Sequence, residues 1–134
     1  MTNRLDQALQ FHQNALNIRA YRQQLLSSNI ANADTPNYKA RDLDFKAALS
    51  GALGDRFGPL ALATTARGHQ SGSTANPLEA AARYRTEQQS SVDGNTVNMD
   101  VERAAFAENA LHYEASITFI NGLLRSMQSA VQGQ

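Results

Sequence analysis

The chain has 134 residues, with twelve basic and twelve acidic side chains and neither cysteine nor tryptophan. A chain of this length is expected to fold as one domain around a modest core. Its zero formal charge gives no reason to expect a nucleic-acid partner. The lack of cysteine excludes disulfides, thiol nucleophiles and cysteine-based zinc sites.

The N-terminal residues, Met1 to Gln7, lack the apolar core of a secretory signal. No stretch approaches the roughly 18 apolar residues that a membrane-spanning helix needs. We therefore expect no direct membrane insertion, and a protein that is either cytosolic or exported by a route that needs no cleaved signal.

Residues from about 4 to 33 predict one long helix, because no glycine or proline interrupts them and Gln, Ala, Leu and Arg favour helices. Pro36 disfavours helical geometry at Thr35, and the neighbouring Asn and Asp residues favour turns, so the helix is expected to end there. Residues recurring at alternating steps of three and four predict a packing seam on one face. The seam comprises Ala8, Phe11, Ala15, Ile18, Arg22, Leu25 and Asn29.

The middle of the chain has weaker signals. Residues 42–53 allow a short helix, although two glycines weaken it. Residues 54–77 are rich in Gly, Ser, Thr and Ala, which predicts a loop that is mobile or ordered by a partner. Residues 78–85 suit a helical turn or two, or an extended stretch. Residues 93–95 predict a turn whose flanking valines suit a small hairpin or extended pair.

The last third of the chain predicts a second long helix, capped by Asn98 or Asp100 and ended by Gly133. A heptad pattern runs along it, which predicts a coiled-coil-like seam. One set is Met99, Phe106, Tyr113, Ile120 and Met127, and the interleaved set is Arg103, Ala110, Ile117, Leu124 and Val131. The expected fold is therefore mainly α: two long terminal helices form an antiparallel hairpin, with a short helix, a flexible loop and a small extended or turn segment between them. The expected regions are 1–34, 35–97 and 98–134.

Both long helices carry more apolar surface than a two-helix hairpin hides. Leaving large side chains such as Phe119 and Leu123 in water forgoes about 1.5–3 kcal/mol each, against a net domain stability of only about 5–15 kcal/mol. Burial against other subunits would resolve this mismatch, which favours a polymer. Alternatively, the middle of the chain folds back over the helices to make a self-contained domain. A discrete parallel dimer or a role on a membrane surface fits the pattern less well.

No arrangement of residues indicates catalysis. Glu108 and His112 lie four residues apart on one helix face, a spacing that can hold a metal ion, but no third ligand is apparent. The helical serines lack a nearby base. We therefore expect neither an enzyme nor a bound cofactor or metal.

The stretch from Ser28 to Lys39, with sequence SNIANADTPNYK, resembles the N-terminal signature of bacterial flagellar basal-body rod and hook proteins. Residues 38–45, residues 93–100 and the run from Glu102 to Met127 are similar to the proximal rod members of that family. The resemblance implies a non-enzymatic subunit of the rod, the drive shaft that transmits torque between the membrane-embedded ring and the hook. Such subunits leave the cell through the flagellum's own type III export apparatus, which agrees with the absence of a signal peptide.

The resemblance further implies that the terminal helices pack around the export channel of a periplasmic rod. The implied partners are further copies of the chain, other rod proteins, and the ring–rod adaptor and export-gate proteins at the rod base. The residues expected at the assembly interface are Phe11, Ile18, Leu25, Asn29, Asn32, Tyr38, Phe106, Tyr113, Ile117, Ile120, Leu124 and Met127. A cytosolic coiled-coil adaptor or regulatory binding module is the alternative function.

Overall fold

The computed structural model describes residues 2–54, 77–86 and 91–133. Most of the predicted loop 54–77 lies outside these residues. The elements are α1 (Thr2–Ala31), β1 (Arg41–Leu43), α2 (Phe45–Leu53), α3 (Pro77–Ala81), β2 (Ala82–Tyr84) and α4 (Met99–Gln132).

The two long terminal helices are confirmed, and local signals set their ends. Asn98 caps α4, since its side chain accepts from the backbone N–H groups of Asp100 and Val101. Gly133 ends the helix in the left-handed conformation, with φ 71°. Among the described residues, no helix is both long enough and apolar enough to cross a membrane.

The middle segment differs from the sequence-based expectation in two places. The short helix begins at Phe45 instead of residue 42, because Asp44 caps it by accepting from the N–H groups of Lys46 and Ala47. The three residues before the cap form β1, which pairs antiparallel with β2.

The turn at residues 93–95 is present, and the described residues on either side of it form no strand. Its flanks bind the chain that follows α1 instead. The N–H of Thr96 donates to the carbonyl of Tyr38 at 3.0 Å, and the N–H of Asn37 donates to the carbonyl of Asp93 at 2.9 Å. These hydrogen bonds use backbone groups that a local hairpin would need.

The hydrophobic core lies between α1 and the middle segment. Ile18 and Leu25 of α1 are buried together with Leu43 of β1 and Ala48 of α2. Side chains from α2, α3 and β2 pack around this cluster, so the middle segment does fold back over one face of α1, as the second interpretation of the sequence suggested. The seam predicted on α1 is buried from Ala15 to Asn29, although Arg22 within it is partly exposed.

Helix α4 runs antiparallel along a different side of α1. Asn29 near the end of α1 contacts Glu102 near the start of α4, whereas Arg19 and Gln23, earlier in α1, bond to Asn109, later in α4. The fully buried residues of α4 are Glu102 and Asn109. The interleaved set of the predicted seam, from Arg103 through Val131, is exposed along its whole length. The face of α4 that packs on α1 therefore lies one residue before the interleaved set. Glu102 accepts from Asn29 and Arg85 there, and the amide nitrogen of Asn109 donates to α1.

Candidate functional site

A partly buried polar network joins α1, β1, α4 and the residue that follows β2, where the two long helices meet the small sheet. Glu102 of α4 accepts from Asn29 Nδ2 at 3.1 Å and from Arg85 Nη1 at 2.8 Å. The other terminal nitrogen of Arg85 donates to Asp42 at 2.7 Å, and Asp42 also accepts from Arg22 Nε at 2.9 Å. We call these five residues the polar junction. Two guanidinium groups balance two carboxylates, so the junction as a whole carries no net charge.

The electrostatics of Asp42 follow from its position in this junction. Burial alone would raise the pKa of Asp42, but hydrogen bonds from Arg22, the N–H of Leu43 and Arg85 outweigh it and hold the pKa below its usual range. The hydrogen bond to Asp42 in turn raises the pKa of Arg22. Asp42 is therefore ionised at neutral pH, and the ion pairs of the junction are in place there.

The fully buried side chain of Asn29 connects this junction to the chain segment that follows α1. Its amide nitrogen donates to the carbonyl of Arg41 at 2.8 Å as well as to Glu102. Its oxygen accepts from the N–H of Arg41 at 3.1 Å and from the hydroxyl of Tyr38 at 3.3 Å. The side-chain amide of Asn29 therefore bonds both the N–H and the carbonyl of Arg41, as a neighbouring strand would, and this fixes the chain after α1.

A second amide holds the end of α1. Asn95 Nδ2 lies within hydrogen-bonding distance of the carbonyl oxygens of Asn32 (3.0 Å), Ala33 (2.7 Å) and Thr35 (2.9 Å). All three carbonyls belong to the turn that directly follows α1, so this amide fixes the path of the chain as it leaves the helix. Gly94 before it has φ +73°, a conformation that favours glycine. The signature segment and the turn at residues 93–95 thus form one hydrogen-bonded corner.

Large apolar side chains remain in water on one side of α4. Tyr113, Ile117 and Leu124 are 37–41 % exposed and Val131 is 88 % exposed. We call these four residues the outer stripe. Arg125 is the single Asp, Glu, Lys or Arg residue between positions 115 and 133, so this half of α4 lacks the charged face typical of a surface helix.

A shallow groove adjoins the outer stripe where α4 passes α1. It is lined by Ala20, Gln23, Gln24, Ser27, Ala110 and Tyr113. None of these side chains is charged, and all except Tyr113 are either small or carry an amide. Beneath the helix contact, Asn109 Oδ1 and Arg19 Nε are buried without a hydrogen-bond partner among the described residues. The contact between the two long helices is therefore incompletely satisfied.

The residues predicted for the assembly interface fall into three groups in the structure. Ile18, Leu25 and Asn29 are buried within the chain and have almost no surface left for another molecule. Half-buried positions are Asn32, Tyr38, Phe106, Ile120 and Met127. The exposed positions are Phe11, Tyr113, Ile117 and Leu124.

Sequence reasoning missed the structural roles of Arg85, Glu102 and Asn109. Glu102 and Asn109 could have been identified from their seven-residue spacing. The same spacing continues along α4 to Ser116 and Leu123. Glu108 and His112 lie 3.8 Å apart and are largely exposed. Within the described ranges, no three His, Cys, Asp or Glu side chains gather as metal ligands would.

Comparison with known proteins gives a consistent result. Residues 9–39 match the family model described as flagella basal body rod protein. The chain is 45% identical over 135 residues to the flagellar basal body rod protein FlgB of Yersinia enterocolitica, with 98% of each chain covered. It is 44% identical to FlgB of Escherichia coli K12, again with 98% of each chain covered. Identity to FlgB of Salmonella typhimurium is 43% over 136 residues, with 99% of each chain covered.

Proposed function

Because the chain belongs to the FlgB family of flagellar basal body rod proteins, we propose that it is a structural subunit of the flagellar rod that assembles by packing its helices against neighbouring subunits. The observation that carries the assembly mechanism is the outer stripe of α4. The relatives do not favour the alternative of a cytosolic coiled-coil adaptor.

The free energy available from covering the outer stripe supports this mechanism. Fully burying a large apolar side chain contributes about 1.5–3 kcal/mol. Tyr113, Ile117, Leu124 and Val131 are between 37 and 88 % exposed, so a neighbour that covered all four would gain several kcal/mol by that measure. Little charge opposes this burial, because Glu114 and Arg125 are the two charged residues between Tyr113 and Val131 and neither belongs to the outer stripe.

The division of α4 into two halves suggests separate roles. Its first half is held by Glu102 and Asn109 against the rest of the chain. Its second half, beyond Tyr113, offers the exposed apolar surface. We infer that the first half fixes the direction of the helix and the second half makes contact with neighbouring subunits. Phe11, on the facing part of α1, would extend the same interface.

In this proposal, the remaining predicted interface residues position the contact surfaces or lie at their edges. Ile18, Leu25 and Asn29 hold the middle segment and α4 on α1 and so set the angle between the surfaces. Asn32 and Tyr38 belong to the corner that closes the end of α1. Phe106, Ile120 and Met127 lie half-buried at the edge of the helix pair, where a neighbour would complete their burial.

We further propose a place for the subunit in the proximal, periplasmic rod, reached without a cleaved signal peptide and without an enzymatic role. Its neighbours would be other rod proteins and the ring–rod adaptor and export-gate proteins at the rod base. Helices α1 and α4 are about 45–50 Å long at 1.5 Å per residue. Many such helices packed side by side around the export channel would resist twisting, as the transmission of torque requires.

Substitution of the outer stripe tests the proposal. Ile117→Asp and Leu124→Asp each place a carboxylate where a neighbour would bury an apolar group. In cells that lack their own copy of the gene, both variants should be produced but fail to restore rods, as seen by electron microscopy, and swimming in soft agar.

The matched control is Leu53→Asp, because Leu53 is 47 % exposed, close to the 41 % of Leu124, but lies on α2 away from the stripe. This variant should restore motility. Normal rods and swimming with both Ile117→Asp and Leu124→Asp would contradict the proposed assembly surface.

A further inference from the structure

We propose that the outer edge of β2 binds an extended segment of another protein in which acidic and apolar residues alternate. This segment would add a third strand to the small sheet, with Tyr84 at the centre of the contact. The inference goes beyond the proposed rod function and does not depend on it, because it concerns the sheet of the middle segment and not the outer stripe of α4.

The register of the sheet shows which backbone groups face outward. In an antiparallel pair, opposite residues either bond to each other or both direct their N–H and C=O groups away, and the two kinds of pair alternate. Arg41 lies opposite Tyr84, and both backbone groups of Arg41 bond to the side chain of Asn29. The next pair agrees, since the N–H of Arg85 donates to the carbonyl of Ala40 at 2.9 Å. The N–H and carbonyl of Tyr84 therefore point away from β1.

The two outer edges of the sheet differ in whether these groups are satisfied. On β1, the amide of Asn29 bonds both outward groups of Arg41 and so closes that edge. On β2, the outward N–H and carbonyl of Tyr84 have no hydrogen-bond partner among residues 2–54, 77–86 and 91–133. Tyr84 is also 73 % exposed. An open strand edge of this kind is a template on which an extended chain can pair.

The side chains around this edge determine the chemistry of the partner. Successive residues of a strand point to opposite faces, so Arg83 and Arg85 flank Tyr84 on one face of the sheet. Arg85 is paired with Asp42 and Glu102, whereas Arg83 is exposed and forms no ion pair within the described part of the chain. The cleft beside β2 contains four basic and two acidic side chains, which are Arg22, Lys46, Arg83, Arg85, Asp42 and Asp44.

This excess of positive charge favours a partner strand that carries carboxylates on the face of Arg83. The residue between two such carboxylates would point to the other face, beside the exposed ring of Tyr84, where an apolar side chain packs well. The backbone of the partner would supply the hydrogen bonds, and its alternating side chains would supply the specificity.

A capped eight-residue peptide of alternating glutamate and valine, labelled with fluorescein, is the probe. Fluorescence anisotropy with the full chain at neutral pH and low salt should show saturable binding that weakens at high salt. The control peptide alternates lysine and valine. It should bind at least about tenfold more weakly, because its ammonium groups would lie beside Arg83 and Lys46.

Two variants of Tyr84 separate the backbone contact from the side-chain contact. Tyr84→Pro removes the outward N–H but leaves the bonds to β1 in place, because proline is tolerated on an edge strand whose N–H faces solvent. Tyr84→Val also removes the ring but keeps the N–H. The glutamate peptide should bind Tyr84→Pro at least about tenfold more weakly than Tyr84→Val, a difference of about 1.4 kcal/mol. Arg83→Glu should also weaken binding, and far-UV circular dichroism checks that each variant keeps its helices.

Amide hydrogen exchange distinguishes the other possible occupants of this edge. The Tyr84 amide should exchange quickly in the free protein and slowly after the glutamate peptide is added. Slow exchange at every protein concentration would show that the chain covers its own edge, and exchange that slows as the protein is concentrated would show that a second copy does. Either result would overturn the inference.

Three binding results would also overturn it. These are no saturable binding of the glutamate peptide to the wild type, equal affinity for the two peptides, and equal affinity of Tyr84→Pro and Tyr84→Val. The motility of the Ile117→Asp and Leu124→Asp variants tests the proposed rod function separately.

Discussion

Replacing Arg85 by methionine should release α4 from the rest of the chain. The Arg85 guanidinium contacts Glu102 at 2.8 Å and Asp42 at 2.7 Å. The Glu102 side chain is 1 % exposed, so without Arg85 its carboxylate would keep only the amide of Asn29 as a partner. Breaking a buried ion pair from one side costs about 3–5 kcal/mol because the remaining charge stays buried.

The magnitude is smaller here because Arg85 itself is 21 % exposed and water can reach its site. We expect Arg85→Met to lower the free energy of unfolding by about 2–4 kcal/mol. For a chain of this size, such a loss lowers the melting temperature by roughly 6–12 °C. Urea unfolding at neutral pH, followed by far-UV circular dichroism, measures it.

Two further variants separate loss of charge pairing from loss of side-chain volume. Arg83→Met makes the same substitution at an exposed position of β2 and should change stability by less than about 0.5 kcal/mol. Arg85→Met/Glu102→Leu removes both charges and should recover at least about 1 kcal/mol of the loss. The reasoning fails if Arg85→Met is no more destabilising than Arg83→Met.

Three other predictions concern single residues. Gly122 lies in α4 with no atom of the described chain near the site of an added Cβ, as does Gly51 in α2. Both Gly→Ala variants should therefore raise helix stability by up to about 1 kcal/mol in thermal melts, but if a neighbour's backbone approaches α4 closely, Gly122→Ala alone should impair rod assembly. Asn95→Ala should lower stability by about 1–3 kcal/mol in urea unfolding, since it removes the amide nitrogen that lies within hydrogen-bonding distance of three carbonyls just after α1. Asp42 has a lowered pKa, so its stabilising effect is present above the ordinary Asp value of about 3.9 and is lost as the pH falls through the folded-state value. The stability difference between the wild type and Asp42→Asn should therefore narrow on acidification below about pH 4, and no narrowing would argue against the ion pairs at this position.

The ends of the long helices could be predicted from the sequence because local chemistry sets them. Pro36 cannot continue a helix, and the side chain of Asn98 can satisfy free N–H groups at a helix start. The same holds for the seam of α1, where Ile18 and Leu25 are apolar and recur with helical periodicity. These signals need no knowledge of the rest of the fold.

The sheet and the inner face of α4 could not be predicted in the same way. The strands β1 and β2 are three residues each, too short for a periodic pattern, and their pairing joins segments distant in sequence. Hydrophobic periodicity follows apolar residues, so the predicted seam included neither Glu102 nor Asn109 and lay one position away from the buried face. Their burial depends on Arg85 and Asn29, whose positions follow only from the tertiary structure.

This difference of one position between the predicted seam and the buried face of α4 has a functional consequence. Had Ile117 and Leu124 faced α1, the hairpin would have covered much of its own apolar surface. With Asn109 on the inner face instead, Ile117 and Leu124 remain available to other subunits. Polar residues at such positions fix helix register at some cost in stability. In this chain, the polar residues on the inner face of α4 also leave Ile117 and Leu124 exposed.

The central claim is that the outer stripe of α4 is open in the free chain and covered in the rod, and cysteine accessibility tests it directly. The sequence contains no cysteine, so Ile117→Cys and Leu124→Cys each introduce a unique thiol, with Leu53→Cys as the control on α2. Maleimide should label all three thiols quickly in the free protein. In isolated basal bodies, the thiols at positions 117 and 124 should be strongly protected while the one at position 53 stays reactive. Equal labelling at positions 117 and 124 in free protein and intact rods would contradict the account.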